Sequence, residues 1–212
     1  MPVRKVSNRG GNVVGRFPSL KMGRMIAFES LLERDFIYLL DYDAHVERFE
    51  EQPLTIEYVE ADRPLHYTPD FQVLEAGQCV LVECKPESFV ESADNQRKFA
   101  VAREWCAARG WNFRVVTDTQ IRAGFRLNNV KRLTPYARLV LDPVLSYRIE
   151  DCLRDGASVW TLQTLVQALS PDAPDRVIAG VLHLVFHHRL EMPLDRAPLS
   201  GQLPIALRAV AP

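Results

Sequence analysis

Tyr67-Thr-Pro-Asp-Phe-Gln-Val-Leu-Glu-Ala-Gly-Gln-Cys-Val-Leu-Val-Glu-Cys-Lys85 is the stretch whose reading decides the rest of the chain. Phe71-Gln-Val-Leu74 alternates apolar and polar residues, and Cys79-Val-Leu-Val-Glu-Cys84 is nearly all apolar. Ala76-Gly77 supplies a turn between them, so the two runs predict a β-hairpin. Asp70 starts one strand, and thirteen residues on, Glu83 and then Lys85 lie near the end of its partner. Glu83 and Lys85 are two apart and point to the same face of a strand. Pairing across Ala76-Gly77 brings Asp70 close to both. Two carboxylates and an ammonium beside Leu81 and Val82 need a physical reason, because an unpaired buried carboxylate is costly. A hard divalent cation between Asp70 and Glu83 supplies one, since Mg²⁺ is commonly held by one or two carboxylates while keeping several waters. Such an ion lowers the pKa of a bound water and stabilises charge on a phosphoryl oxygen. Lys85 would stand beside it as orienting group, charge stabiliser or general base. A hairpin with a plain Glu–Lys ion pair would carry the same letters.

Upstream, Phe28, Leu31, Leu32, Phe36 and Leu39 recur near helical spacing and predict a helix over 25–41, with Glu29 and Glu33 sharing another of its sides. Leu54-Thr-Ile-Glu-Tyr-Val59 alternates as a strand. Downstream, Phe99, Ala102 and Cys106 predict a helix over 93–109 that stops at Gly110. Trp111-Asn-Phe-Arg-Val-Val116 reads as a strand, and Asp118 as the cap of a short helix through Arg122. An acid-bearing helix, a hairpin carrying the Pro-Asp and Glu-x-Lys letters, and a second helix follow the order of the restriction-endonuclease-like nuclease core. From Pro135 the texture changes to helices alone, over 136–153, 158–169 and 174–189. The short strands Leu190–Leu194 and Ile205–Ala209 then flank a Pro/Ser/Gly loop. Three helices closed by such a wing form a winged-helix pattern. The expected fold class is therefore α/β: a restriction-endonuclease-like mixed sheet flanked by helices, with a C-terminal winged-helix-like domain. The expected division is a basic arm 1–24, a nuclease core 25–134 and the winged-helix-like part 135–212.

With 212 residues, 47% hydrophobic and 25% charged, the chain has the composition of a soluble globular protein, which excludes disorder or coiled coil as its main architecture. No apolar run approaches the roughly 20 residues of a membrane span, and no apolar stretch after Arg4, Lys5 and Arg9 suggests a secretory signal. Cys79, Cys84, Cys106 and Cys152 form no CxxC pair and read as reduced thiols of a cytoplasmic protein. The net charge of −1 hides two acid-free basic stretches. Arg4, Lys5, Arg9, Arg16, Lys21 and Arg24 lie in the first, and Arg122, Arg126, Lys131, Arg132 and Arg138 in the second. A solvated tail and a basic connector would explain them, and so would contacts to a nucleic-acid backbone. His183 and His187 have the i, i+4 spacing of metal ligands but no third ligand at a familiar distance, so a polar helix face explains them better. His66 reads as a strand-end residue. Neither a phosphate-binding Gly-rich loop nor a GxSxG elbow is present.

Several motifs in order resemble one family. They are Ser30-Leu-Leu-Glu33, Phe36, Leu39-Leu-Asp41, Val46, Gln52-Pro-Leu54, Tyr67-Thr-Pro-Asp-Phe71, Val82-Glu-Cys-Lys-Pro86 and Phe113-Arg-Val-Val-Thr-Asp118. Over residues 25–122 the chain resembles TnsA, the endonuclease subunit of heteromeric transposases. The resemblance implies a Mg²⁺-dependent DNA endonuclease, with Mn²⁺ able to substitute. It would cut the 5′ strand at each transposon end beside a TnsB-type recombinase and a TnsC-type AAA+ ATPase. Carried over residue by residue, it implies Glu33, Asp70, Glu83 and Lys85 as the catalytic set, with the backbone carbonyl of Cys84 as a further metal oxygen. Glu33 is preferred to Glu29 because it fills the acid slot of Ser-x-x-Glu, which leaves Glu29 as a solvent-facing helix residue. Arg4, Lys5, Arg9, Arg16, Lys21, Arg122, Arg126, Lys131 and Arg132 are the expected DNA-backbone contacts. The apolar face of helix 174–189 and the segment 190–204 are the expected docking surfaces for a protein partner. Two other readings stand beside this one. The chain could be a free-standing restriction or repair nuclease of the same fold, or a DNA- and partner-binding adaptor whose nuclease residues are idle.

Overall fold

A computed structural model describes residues 13–154 and 159–208. They divide into two units, one ending at Ala123 and the other beginning at Gly124. In chain order the first holds β1 (Gly15–Pro18), β2 (Met25–Phe28), α1 (Leu31–Tyr42), β3 (Val46–Glu51), β4 (Ile56–Glu60), β5 (Arg63–Tyr67), β6 (Phe71–Glu75), β7 (Gln78–Lys85), α2 (Glu87–Val90), α3 (Ala93–Ala107), β8 (Asn112–Thr117) and α4 (Asp118–Ile121).

The hairpin at the centre of the sequence is β6–β7. Its antiparallel register runs from Phe71↔Val82 to Glu75↔Gln78. Ala76 and Gly77 close it with φ of 47° and 74°, the two left-handed positions of a tight hairpin turn. β3 pairs antiparallel with β6, and β8 joins β7 in parallel, giving a mixed four-stranded sheet in the order β3-β6-β7-β8. Both faces of β7 are covered. On one, Phe71 meets Phe36 of α1 edge-on at 5.7 Å. On the other, Leu81 packs with Ala102 and Cys106 of α3 and with Ile56 and Tyr67. Trp105 and Trp111 stack edge to face at 5.6 Å against this second cluster. Burying each such side chain contributes about 1.5–3 kcal/mol, so the end of β7 is held from both sides. The expected mixed sheet flanked by helices is present.

Two local expectations are corrected. The predicted helix 25–41 begins only after Ser30, whose Oγ accepts from Glu33 N at 3.1 Å. Residues 25–28 are instead strand β2, paired with β1 from Gly15↔Phe28 to Pro18↔Met25. Second, α4 is capped by Thr117, reciprocally with Gln120, and not by Asp118. Asp118 accepts from Glu87 N at 2.8 Å and so ties α2 to the end of β8.

The second unit contains α5 (Arg126–Leu133), a single 3₁₀ turn (Thr134–Tyr136), α6 (Pro143–Arg154), β9 (Trp160–Thr161), α7 (Leu162–Leu169), α8 (Pro174–Phe186), β10 (Leu190–Glu191) and β11 (Pro204–Leu207). β10-β11-β9 form a small antiparallel sheet. The expected helices 136–153 and 158–169 start later, at Pro143 and after the Thr161 cap. The unit begins at Gly124, ahead of the composition shift at Pro135, because α5 buries Leu127, Val130 and Leu133 within it. Asn129 of α5 also pins the segment 194–199. Its Nδ2 donates to the carbonyls of Leu194 and Ala197, both at 2.8 Å, and its Oδ1 accepts from Leu199 N at 2.7 Å. On α8, Val177, Val181, Leu182, Leu184, Val185 and Phe186 are all buried, so the apolar face expected to dock a partner is core. Among the described residues no helix is long and apolar enough to cross a membrane.

Candidate active site

The sheet register sets the site. One step beyond Phe71↔Val82, Asp70 comes opposite Glu83. Asp70 Oδ2 accepts from Cys84 N at 2.7 Å, which fixes the carboxylate against the β7 backbone. Its Oδ1 accepts no hydrogen bond among the described residues. Glu83 is buried, and both its oxygens are held. Tyr67 Oη donates to Oε2 at 2.8 Å, and Lys85 Nζ lies 2.8 Å from Oε1. Glu33 reaches the same neighbourhood from the first turn of α1. Its Oε1 accepts from Ser30 Oγ and its Oε2 from Glu29 N, both at 2.8 Å. The helix cap thus orients the acid, the serine and the glutamate bonding each other reciprocally.

The groups feel one another. Burial, then the charges of Glu83 and Glu33, push the Asp70 carboxyl well above the ordinary carboxylate range, and Cys84 N–H and Lys85 only partly offset this. Burial also raises Glu33, with Glu29 and Glu83 adding to it against the two hydrogen bonds. Burial alone would lower Lys85, but the Glu83 charge and hydrogen bond, with Asp70, outweigh it and hold the ammonium protonated. Burial followed by the Glu83 charge raises Tyr67, which therefore remains a hydroxyl donor. The Cys84 thiol is raised by burial and then by Asp70, Glu33 and Glu83, so what this residue offers a cation is its backbone.

This donor set fits a hard divalent cation. It is made of carboxylate oxygens, Asp70 Oδ1 is open, and the Lys85 ammonium faces Glu83 and Asp70. No three acidic, histidine or cysteine side chains form a ready cage among the described residues. The reason is visible: Glu83 is engaged by Tyr67 and Lys85, and Glu33 by Ser30 and Glu29. Filling the site therefore means exchanging some of these partners for the ion.

Sequence reasoning missed two residues here. Tyr67 stood only as a motif letter, and its contact with Glu83 depends on how β5 lies against β7. Glu29 is not a solvent-facing helix residue. It sits in the turn before α1, and its Oε1 is buried without a partner. Its spacing from Glu33 was the available signal.

The expected DNA contacts separate into groups. Arg4, Lys5 and Arg9 lie outside the described residues. Arg16 is exposed on β1. Lys21 is engaged by the fold: its Nζ donates to the carbonyls of Asp43 and Val46, the latter at 2.6 Å, and burial lowers its pKa. Arg122 pairs with Asp35 at 3.2 Å and Arg126 with Asp195 at 3.2 Å. Arg132 donates to the Leu199 carbonyl at 2.5 Å, and Lys131 is half-buried. His183 of α8 and His187, which caps its C-terminus, hold the preceding turn. His183 Nδ1 lies 3.0 Å from the Tyr136 carbonyl, and His187 Nε2 lies 2.8 Å from that of Ala137. His66 is exposed, 3.9 Å from Glu57.

Residues 43–118 match the family described as TnsA-like endonuclease N terminal. The match takes in Asp70, Glu83, Cys84 and Lys85 and begins after Glu33. No curated protein matches the chain.

Proposed function

We propose, from the match of residues 43–118 to the TnsA-like endonuclease N-terminal family, that this chain is the Mg²⁺-dependent endonuclease subunit of a heteromeric transposase. It cuts the 5′ strand at each transposon end while a TnsB-type recombinase cuts the 3′ strand. The observation that carries this reading is the joining of Asp70, Glu83 and Lys85 at the buried end of one hairpin, with the open Asp70 Oδ1 between acids that repel one another.

Asp70, Glu83 and Glu33, with the Cys84 carbonyl, are the residues that would hold Mg²⁺, or Mn²⁺ in its place. When bound, the ion supplies a water of lowered pKa and stabilises charge on the phosphoryl oxygen. Lys85 acts as a cation. Glu83 keeps it protonated, so it neutralises charge at the scissile phosphate and does not take the first proton. Tyr67 keeps the Glu83 carboxylate turned toward Lys85.

We read the second unit as winged-helix-like, on the strength of α6, α7 and α8 with the β10-β11-β9 sheet. Arg176 of α8 pairs with Asp142 at 2.7 Å, and Arg189, just past the end of α8, with Glu150 at 2.5 Å. Backbone contacts from Arg16 and from the basic residues before it would position DNA without reading its sequence. Specificity then comes from the recombinase and from a TnsC-type AAA+ ATPase. Replacing Arg4, Lys5 and Arg9 together should weaken binding about equally for transposon-end and random DNA and flatten its salt dependence, as measured by titration at several ionic strengths. A loss confined to end DNA would mean the arm reads bases. Efficient cutting of one defined sequence by the full-length protein alone would replace this reading with that of a free-standing nuclease.

A further inference from the structure

Gln52 stands outside the acid–lysine set, yet three observations meet on it. It follows the last residue of β3 with φ of 44°, a left-handed backbone that disfavours any residue bearing a Cβ. Pro53 behind it restricts the same backbone further. Its N–H donates to the carbonyl of Asp70 at 2.8 Å, so it is bonded directly to the residue with the open carboxylate oxygen. The residue is 8% exposed, and the amide Oε1 is buried without a hydrogen-bond partner. A buried amide oxygen with no donor carries a desolvation cost. Glycine would remove the backbone strain, and an apolar side chain would remove the unpaired amide. Backbone strain and an orphaned side-chain oxygen, on a residue whose N–H is bonded to Asp70, are what a site that holds its ligands in place looks like.

We propose that Gln52 is a positioning residue of the nuclease centre: its N–H fixes the main chain of Asp70, and its buried amide completes its hydrogen bonding when a hydrated divalent cation occupies the carboxylates. This rests on the nuclease reading above and adds to it a residue that touches neither the phosphate nor the metal directly. It also makes an unusual demand of a substitution. Gln52→Gly relieves the strain and so keeps or raises the stability of the metal-free protein, while weakening the grip on the ion.

The test is calorimetric titration of Mn²⁺ into the full-length protein, with metal-free melting curves, for wild type, Gln52→Gly, Gln52→Asn and Asp70→Ala. Asn tolerates the left-handed backbone and withdraws the amide by one methylene, so it covers the case in which the glycine variant does not fold. The expected result is wild-type binding of Mn²⁺, its loss in Asp70→Ala, and affinity about tenfold lower in both Gln52 variants, with metal-free melting temperatures no lower than wild type. Wild-type Mn²⁺ affinity in Gln52→Gly and Gln52→Asn overturns the role of Gln52 and leaves the nuclease reading standing. Absence of Mn²⁺ binding in the wild type, or its persistence in Asp70→Ala, overturns both.

Discussion

Replacing Tyr67 by Phe removes one of the two groups that hold the buried Glu83 carboxylate. The expected cost is about 1–3 kcal/mol of stability, read from denaturant melts, together with slower metal-supported cleavage in single-turnover assays. Unchanged cleavage would make the hydroxyl purely structural. Asp70→Asn acts in the other direction. Asp70 is half-buried, and the charges of Glu83 and Glu33 crowd it, so a neutral amide of the same shape raises the metal-free melting temperature at neutral pH while abolishing cleavage, and a lowered melting temperature would argue against the charge crowding described here. That Asp70, Glu83 and Lys85 come together is legible in the sequence because a two-residue turn fixes which positions of β6 and β7 face each other, a purely local matter. Tyr67, Gln52 and Glu29 are not. Their roles depend on β5, β3 and the turn before α1 being brought to the hairpin by packing, which no spacing along the chain reveals.

At the scale of elements, α1 is a carrier for Glu33, and its cap is part of the site. Ser30→Ala removes both the acceptor for Glu33 N and the donor to Glu33 Oε1. It should cost about 1 kcal/mol of stability and lower cleavage further than that loss explains. Equal cleavage by the variant would detach the cap from the chemistry. The start of α1 was misplaced in the sequence because Met25-Ile-Ala-Phe28 is apolar throughout, and a short apolar run reads equally as helix or strand. β3 escaped notice for the opposite reason, since Val46-Glu-Arg-Phe-Glu-Glu51 is mostly charged. Its last residue is buried only because Arg24 donates two hydrogen bonds to it, at 2.8 and 2.7 Å. Burial alone would raise the Glu51 pKa, but those bonds, the Ala27 N–H and the Arg24 charge outweigh it and hold it down. A carboxylate depressed by folding stabilises above its unfolded pKa, about 4.3 for Glu, and loses that contribution as pH falls through the folded value. Wild type should therefore be more stable than Glu51→Gln at neutral pH, with the gap closing below about pH 4. A gap independent of pH would refute the pairing.

For the whole molecule, the order of helix, hairpin, helix and strand in the first unit, and of helices then short strands in the second, is readable from composition and periodicity. The division between units is not. α5 looks like a continuation of the basic connector until Leu127, Val130 and Leu133 are seen buried within the second unit. A fragment ending at residue 123 should therefore melt cooperatively. One extended to residue 134 should elute as larger species in size-exclusion chromatography, because it carries those three side chains without the rest of their unit. The reverse behaviour would move the boundary back to the composition shift. The central claim, that Asp70 belongs to a nuclease centre cutting one strand beside a recombinase that cuts the other, has a direct measurement: strand-resolved mapping of cuts at the transposon ends, with the recombinase present and Mg²⁺ supplied, for wild type and Asp70→Ala. The account predicts that Asp70→Ala abolishes the 5′-strand cuts and leaves the 3′-strand cuts in place. Persistence of the 5′-strand cuts in that variant would contradict it.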